Sequence, residues 1–274
     1  MAIEKRIAFW GAGALGGAIV SGLVAAGVDP KLIYVTDRSG TRAPKLAEET
    51  GVNYVADHAE LLSTAEVLIL GMKPADQASA LRAQQEVLAR SKPLVISLAA
   101  GRSLAQIQND LPAGAHLIRA MPNVAAQVGQ SMTALVAAPE VSETELALAE
   151  EIMATFGQVQ VIPEAKLAAF TAVAACSPAW FAASVDALAQ AGVAAGLTKQ
   201  QAVFAAAQSL LGTGQLIQEL AESEQVPAQL VDRVCSPGGS TVAGLLAAES
   251  SGLRKVWQDA FFAALAADAK ISRD

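Results

Sequence analysis

Gly11-Ala12-Gly13-Ala14-Leu15-Gly16 stands between a short apolar run and a helix-like stretch. Glycines at this spacing allow a tight turn, close approach of backbone to an anion and close packing of the next helix. That helix would turn unpaired N–H groups and a partial positive charge toward a phosphate. In this strand-to-helix setting the motif points to the pyrophosphate of a dinucleotide, and a glycine turn without a ligand is the plainer alternative. About twenty residues beyond Gly16 comes Thr36-Asp37-Arg38-Ser39. Asp37 can accept the ribose 2′-hydroxyl of NAD, whereas Arg38 and Ser39, with Arg42, can hold the 2′-phosphate of NADP. Both readings stand, with the weight on NADPH; Arg38 as a solvated loop charge is the bland one.

A second glycine loop, Cys235-Ser236-Pro237-Gly238-Gly239-Ser240-Thr241, runs into a helix beginning near Val242. Adjacent glycines let successive N–H groups converge, and a helix end adds its dipole, so a carboxylate can be bound there without an arginine. Equally, the loop can be a helix cap, with Ser240 or Thr241 in the capping position.

The elements that must position these loops follow from periodicity. Strand candidates are Arg6–Trp10, Leu32–Thr36, Val52–Val55, Val67–Leu70, Leu94–Ser97, His116–Arg119, Met132–Val136 and Val159–Ile162. They alternate with helix-like segments, among them Ala14–Ala26, Ala75–Ala89 and Ser142–Phe156, the last opened by Ser142 with Glu145 as a capping pair. That alternation predicts a parallel sheet flanked by helices over residues 1–162. From Pro163 on, strand signals stop. Helical segments are expected over Glu164–Ala195, broken near Cys176–Pro178, and over Thr198–Glu222, Pro227–Val234 and Thr241–Ser272. The predicted class is α/β, with an N-terminal Rossmann-type sheet and an all-helical domain over residues 163–274.

Ala179–Ala195 is apolar on nearly every face, and such a helix must be buried all round. A region of this size cannot do so alone, which predicts packing against a second copy. The uncharged stretch Leu167–Val185 raises the question of a membrane helix. It is mostly alanine and carries Pro178, so a buried interface helix is the expected reading.

Of the 274 residues, 53% are hydrophobic and 16% charged, which excludes a disordered chain and supports extensive burial. A net charge of -7 leaves no broad basic face for nucleic acid. Cys176 and Cys235 are the only cysteines, and His58 and His116 stand apart in sequence, so no metal site is expected. The first residues show no signal-peptide pattern, which makes the cytoplasm the expected compartment.

The order of motifs resembles that of the pyrroline-5-carboxylate reductase family. The glycine turn is followed by Met72-Lys73-Pro74, Ser97-Leu98-Ala99-Ala100-Gly101, Arg119-Ala120-Met121-Pro122-Asn123 and the Ser236–Thr241 loop, over nearly the whole chain. The resemblance implies NAD(P)H-dependent reduction of 1-pyrroline-5-carboxylate to L-proline, in a homodimer or an assembly of dimers. By position it places Met72, Lys73 and Pro74 beside the cofactor, Ala99 and Ala100 near the nicotinamide ribose, and Asn123 at the nicotinamide end. Ser236, Gly238, Gly239, Ser240 and Thr241 would hold the substrate carboxylate, with the Thr241 hydroxyl as the catalytic group near the ring nitrogen. Lys73 can also be a strand-end charge, and Asn123 a turn residue after Pro122.

One stretch departs from the family pattern. Ala174-Ala175-Cys176-Ser177-Pro178-Ala179-Trp180 replaces a serine- and glycine-rich turn followed by proline, alanine and an aromatic. This opens the alternatives of another cyclic imino acid, such as piperideine-2-carboxylate, or of a catalytically silent NADP-binding paralogue.

Overall fold

The computed structural model describes residues 3–271. Each apolar run becomes a strand: β1 (Ile7–Trp10), β2 (Ile33–Thr36), β3 (Asn53–Tyr54), β4 (Val67–Leu70), β5 (Leu94–Ser97), β6 (Leu117–Met121), β7 (Ser131–Ala137) and β8 (Gly157–Val161). They form one sheet in the order β3-β2-β1-β4-β5-β6-β7-β8. Neighbours are parallel except β6 and β7, which run antiparallel with Arg119 opposite Val136. That pair makes the expected parallel sheet mostly rather than wholly parallel. Its connection holds only a short 3-10 turn, Val124–Val128, and a parallel return needs a crossover of a dozen or more residues, usually a helix.

The central strands are buried on both faces, which is why they read as continuous apolar runs. Alternation divides them. Ile7, Phe9, Val67, Ile69 and Ile96 pack with Ile19, Val20 and Leu23 of α1 (Ala14–Ala25) on one face. Ala8, Trp10, Leu68, Leu70 and Val95 pack with Leu61, Leu62, Leu81 and Leu88 on the other. At about 25 cal/mol per Å2 of apolar surface removed from water, these two layers supply the main force holding the strand ends in place.

The apolar pattern does not reveal α2 (Arg42–Thr50), whose Ala43 packs on the α1 face, or α3 (His58–Thr64), whose Leu61 and Leu62 pack on the other. The expected Ala75–Ala89 helix divides at Gln84 into α4 (Pro74–Ala83) and α5 (Gln85–Ser91). A further short helix, α6 (Leu104–Gln108), follows β5, and α7 (Glu143–Ala154) carries the expected capping box between Ser142 and Glu145.

Beyond β8 the chain is helical: α8 (Leu167–Phe170), α9 (Ser177–Ala194), α10 (Lys199–Glu222), α11 (Pro227–Val234), α12 (Ser240–Ser250) and α13 (Leu253–Ile271). The break expected near Cys176–Pro178 is a π-helical turn, Thr171–Cys176, within a helical run over Glu164–Ala194. The expected Thr241–Ser272 helix is two helices parted at Gly252, whose φ is +89°; Ser272 lies outside the described residues. Two compact units result, the described residues of Met1–Cys176 with Leu265–Asp274, and Ser177–Ala264.

Within Ser177–Ala264, Trp257 packs against Trp180 and Phe181 at ring separations of 6.3 and 5.6 Å, and Asp186 pairs with Lys199. Large apolar side chains nevertheless face outward, Leu188 at 63% exposure and Phe204 at 72%. The run Glu164–Ala194 is also long and apolar enough to cross a bilayer.

Candidate functional site

The glycine turn closes the C-terminal end of β1, where ligands of open α/β sheets bind. Gly11 and Ala12 donate their N–H groups to the carbonyl of Thr36, at 3.0 and 3.2 Å, so they tie the turn to β2. The first bond of α1 runs from Gly17 to Gly13. Gly13, Ala14, Leu15 and Gly16 therefore carry the N–H groups that helix geometry leaves without an intrahelical acceptor. No side chain caps this end and no acidic residue stands in its first turn.

The three glycines meet three different surroundings. A Cβ on Gly11, which has φ +114°, would lie 2.6 Å from the Met72 nitrogen, and one on Gly16 would lie 2.6 Å from the Gly11 oxygen. A Cβ on Gly13 would meet nothing within 4 Å. Gly11 and Gly16 are thus required by packing, while Gly13 opens onto free space where a pyrophosphate can approach. That division fits a dinucleotide.

Asp37, after β2, turns its carboxylate into its own loop. Its oxygens accept from Gly40 at 2.5 Å, Arg42 at 2.8 Å, Ala43 at 3.0 Å and the Ser39 hydroxyl at 3.2 Å. Burial pushes this carboxyl up, but the bonds from Ala43, Arg42, Gly40 and Ser39 outweigh it and hold it below the usual aspartate range. Arg38 is 84% exposed and reaches Asp76 at 3.1 Å. Between them lies a cavity of about 310 Å3 lined by Trp10, Gly11, Asp37, Arg38, His58 and Asp76, among others. The Trp10 and His58 rings face it 5.3 Å apart. Sequence reasoning left out Trp10, His58 and Asp76; the available signal was that Trp10 ends a strand beside the glycine turn.

After β4, Lys73 is the N-cap of α4 with Pro74 at its first position, and Met72 lies against Gly11. After β5, Ala99 is buried and donates its N–H to the Ser97 hydroxyl at 3.3 Å, while Ala100 is exposed. Beside this turn, Arg102 bonds to the buried carboxylate of Asp110 at 2.5 Å and to Gln77 at 3.4 Å, so a polar cluster fixes the path after Gly101. After β6, Asn123 caps the 3-10 turn through Oδ1, accepting from Ala125 at 3.0 Å. These turns all stand at the strand ends nearest the glycine turn.

In the other unit, the Ser236 carbonyl accepts from Gly239 at 3.0 Å, and Gly238 has φ +68°. Proline then left-handed glycine at the two central positions is the pattern of a type II turn. Gly239 occupies the N-cap of α12, with no side-chain capping bond and no acidic residue in the first turn. This corrects the expectation that Ser240 or Thr241 caps the helix; both sit in its first turn, exposed. A backbone already bent by glycine needs no side chain to start the helix, so the two hydroxyls are not consumed as caps.

Residues 164–271 match the family model for pyrroline-5-carboxylate reductase dimerisation, and residues 6–101 match that for NADP oxidoreductase, coenzyme F420-dependent. The chain is 39% identical over 260 residues, 93% of each chain, to the pyrroline-5-carboxylate reductase of Synechocystis. To the Escherichia coli pyrroline-5-carboxylate reductase it is 32% identical over 272 residues, 99% of this chain and 100% of that one. The solved pyrroline-5-carboxylate reductase of Coxiella burnetii superposes with a TM-score of 0.92 at 33% identity, covering 98% of both chains.

Proposed function

Because this chain belongs to the pyrroline-5-carboxylate reductase family, we infer that it is an oxidoreductase reducing the C=N bond of 1-pyrroline-5-carboxylate to give L-proline, with NAD(P)H as reductant. The observation that carries this is identity to such reductases along the whole chain, through both the nucleotide-binding and the dimerisation segments. The family relatives do not favour the six-membered imino acid or the silent-paralogue reading.

Bound NAD(P)H supplies a hydride to the imine carbon, so the protein's work is alignment, exclusion of water and matching of charge. The N–H groups of Gly13 to Gly16 hold the pyrophosphate at the start of α1. Met72, Lys73 and Pro74 border the same cofactor, Ala99 and Ala100 its nicotinamide ribose, and Asn123 its nicotinamide end. Arg38 and Ser39 receive a 2′-phosphate, and the choice of NADPH over NADH is supported by Asp37, whose charge is taken up by its own loop.

Ser236, Gly238, Gly239 and Ser240 bind the substrate carboxylate at the N-terminus of α12, where helix and anion attract. The Thr241 hydroxyl orients the ring nitrogen and supports its protonated form without adding charge. Thr241→Ala lowers kcat/KM by about tenfold or more, the low end of acid–base contributions; an unchanged value removes Thr241 from the mechanism.

The chain carries a dimerisation domain. We assign the apolar, outward-facing side chains of Ser177–Ala264 to the contact with a second copy, in a homodimer or an assembly of dimers. The same contact accounts for the apolar run Glu164–Ala194 without a membrane. This reading places the enzyme in the cytoplasm, in proline biosynthesis, with no nucleic-acid partner.

A further inference from the structure

Asn123 Nδ2 donates to the carbonyl oxygen of Ala174 at 2.8 Å, joining the loop after β6 to the π-helical turn Thr171–Cys176. The sequence says why that carbonyl is available. In an α-helix the oxygen of Ala174 would take its bond from the residue four positions on, which is Pro178. Proline has no N–H, and in an α-helix its ring collides with the carbonyl four residues before it. A π-helical turn widens the backbone at this point, a feature that is rare and concentrated at functional sites. Without an N–H at Pro178, the half-buried Ala174 carbonyl lacks the donor that α-helical geometry would give it.

The asparagine is held on its other sides. Its backbone N–H donates to the Ser131 hydroxyl at 3.1 Å, and its Oδ1 accepts from Ala125 at 3.0 Å. With those two groups fixed, Nδ2 has little freedom to point anywhere but at Ala174.

We propose that Asn123 is a positioning residue, whose amide takes up the carbonyl that Pro178 cannot serve and so holds the Thr171–Cys176 turn in its π-helical form. The backbone of Ala174, Ala175 and Cys176, which departs from the family's serine- and glycine-rich pattern, thereby follows a path set by the loop after β6. Alanine side chains at this turn cannot bond the backbone as serines do, so the asparagine carries the task. The functional consequence rests on the reading of the chain as a pyrroline-5-carboxylate reductase, since that reading puts this turn on the substrate side.

The test is a double-mutant cycle on the full-length enzyme. Asn123→Asp keeps the size and the acceptor for Ala125 but sets an oxygen against the Ala174 carbonyl. Asn123→Ser, which also keeps a capping oxygen, serves as a second variant. Pro178→Ala restores an N–H that the Ala174 carbonyl can accept from. In the Pro178 protein each Asn123 variant is expected to lower Tm by about 2–4 °C. It raises KM for pyrroline-5-carboxylate more than KM for NADPH. In the Pro178→Ala protein the same changes cost less than half as much in Tm. Equal Tm losses in both backgrounds, or a rise confined to the KM for NADPH, overturns the proposal. The Tm cycle stands whether or not the enzyme turns over pyrroline-5-carboxylate, so failure of the activity and failure of the latch are separate results.

Discussion

A Cβ on Gly71 would stand 2.3 Å from the carbonyl oxygen of Gly11. The turns after β1 and β4 therefore meet backbone to backbone, and Gly71 donates its own N–H to the Trp10 carbonyl at 3.0 Å. This contact seats Met72 against the glycine turn, which brings together the two segments proposed above to border the cofactor.

Gly71→Ala and Gly13→Ala are expected to act in opposite ways. At Gly71 the methyl strikes main chain that cannot swing aside, with a cost of about 1–3 kcal/mol, so Tm falls. At Gly13 the methyl meets open space, so Tm stays within about 1 °C while KM for NADPH rises about tenfold or more, from loss of close backbone approach. Calorimetry and initial rates on both variants check this. A Gly13→Ala enzyme with unaltered KM for NADPH shows that no phosphate comes near that position.

Arg38 offers an exposed positive charge beside the Asp37 loop. Hydrogen bonds to charged groups are worth about 1.5–3 kcal/mol, so Arg38→Ala should lower kcat/KM with NADPH roughly ten- to a hundredfold and leave NADH nearly unaffected. Parallel losses with both cofactors would place the 2′-phosphate elsewhere.

Much of the nucleotide-binding unit was legible because a doubly covered sheet forces its strands to be apolar throughout. β1, β4 and β5 stand out on that ground alone. α2 and α3 did not, since Arg42–Thr50 and His58–Thr64 bury few of their residues: Ala43 in the first, Leu61 and Leu62 in the second. The antiparallel β6–β7 pair had a visible cue in the short link from Met121 to Ser131, where no crossover helix fits. Pro178 marked the irregularity in the long helix, but a proline can be absorbed by widening the turn as well as by ending it, and the donor that decides the matter, Asn123, lies 51 residues away. The cavity flanked by Trp10, His58 and Asp76 was illegible for a similar reason: its walls come from the ends of separate elements.

Glu145 links the capping box of α7 to the start of β6. Its Oε2 accepts from Ser142 at 2.9 Å (N–H) and 2.7 Å (hydroxyl), and its Oε1 lies 2.6 Å from His116 Nδ1. Burial pushes its carboxyl up, but the Ser142 bonds and His116 outweigh that and hold it below the ordinary value of 4.5. A lowered folded value means that the stabilisation is present above 4.5 and is lost as pH falls through the lower folded value. Glu145→Gln should therefore lower Tm near neutral pH, and the gap from the parent enzyme should close as pH falls below 4.5 and through the lower folded value. A gap constant from neutral to acid pH would show that the carboxylate's charge is not what stabilises.

Leu188 and Phe204 present large apolar faces to the outside of the helical unit, an arrangement that a second copy would cover. Light scattering at micromolar concentration is expected to show no monomer, and Leu188→Glu to shift the population toward monomer. A parent enzyme that runs as a monomer would remove the interface assignment.

The central claim is tested most directly by following NADPH absorbance with pyrroline-5-carboxylate, identifying the product, and repeating the assay with the six-membered imino acid. NADPH oxidation matched by L-proline formed is expected, with kcat/KM for the five-membered ring well above that for the six-membered one. NADPH binding without oxidation by pyrroline-5-carboxylate, or faster turnover of the larger ring, would contradict it.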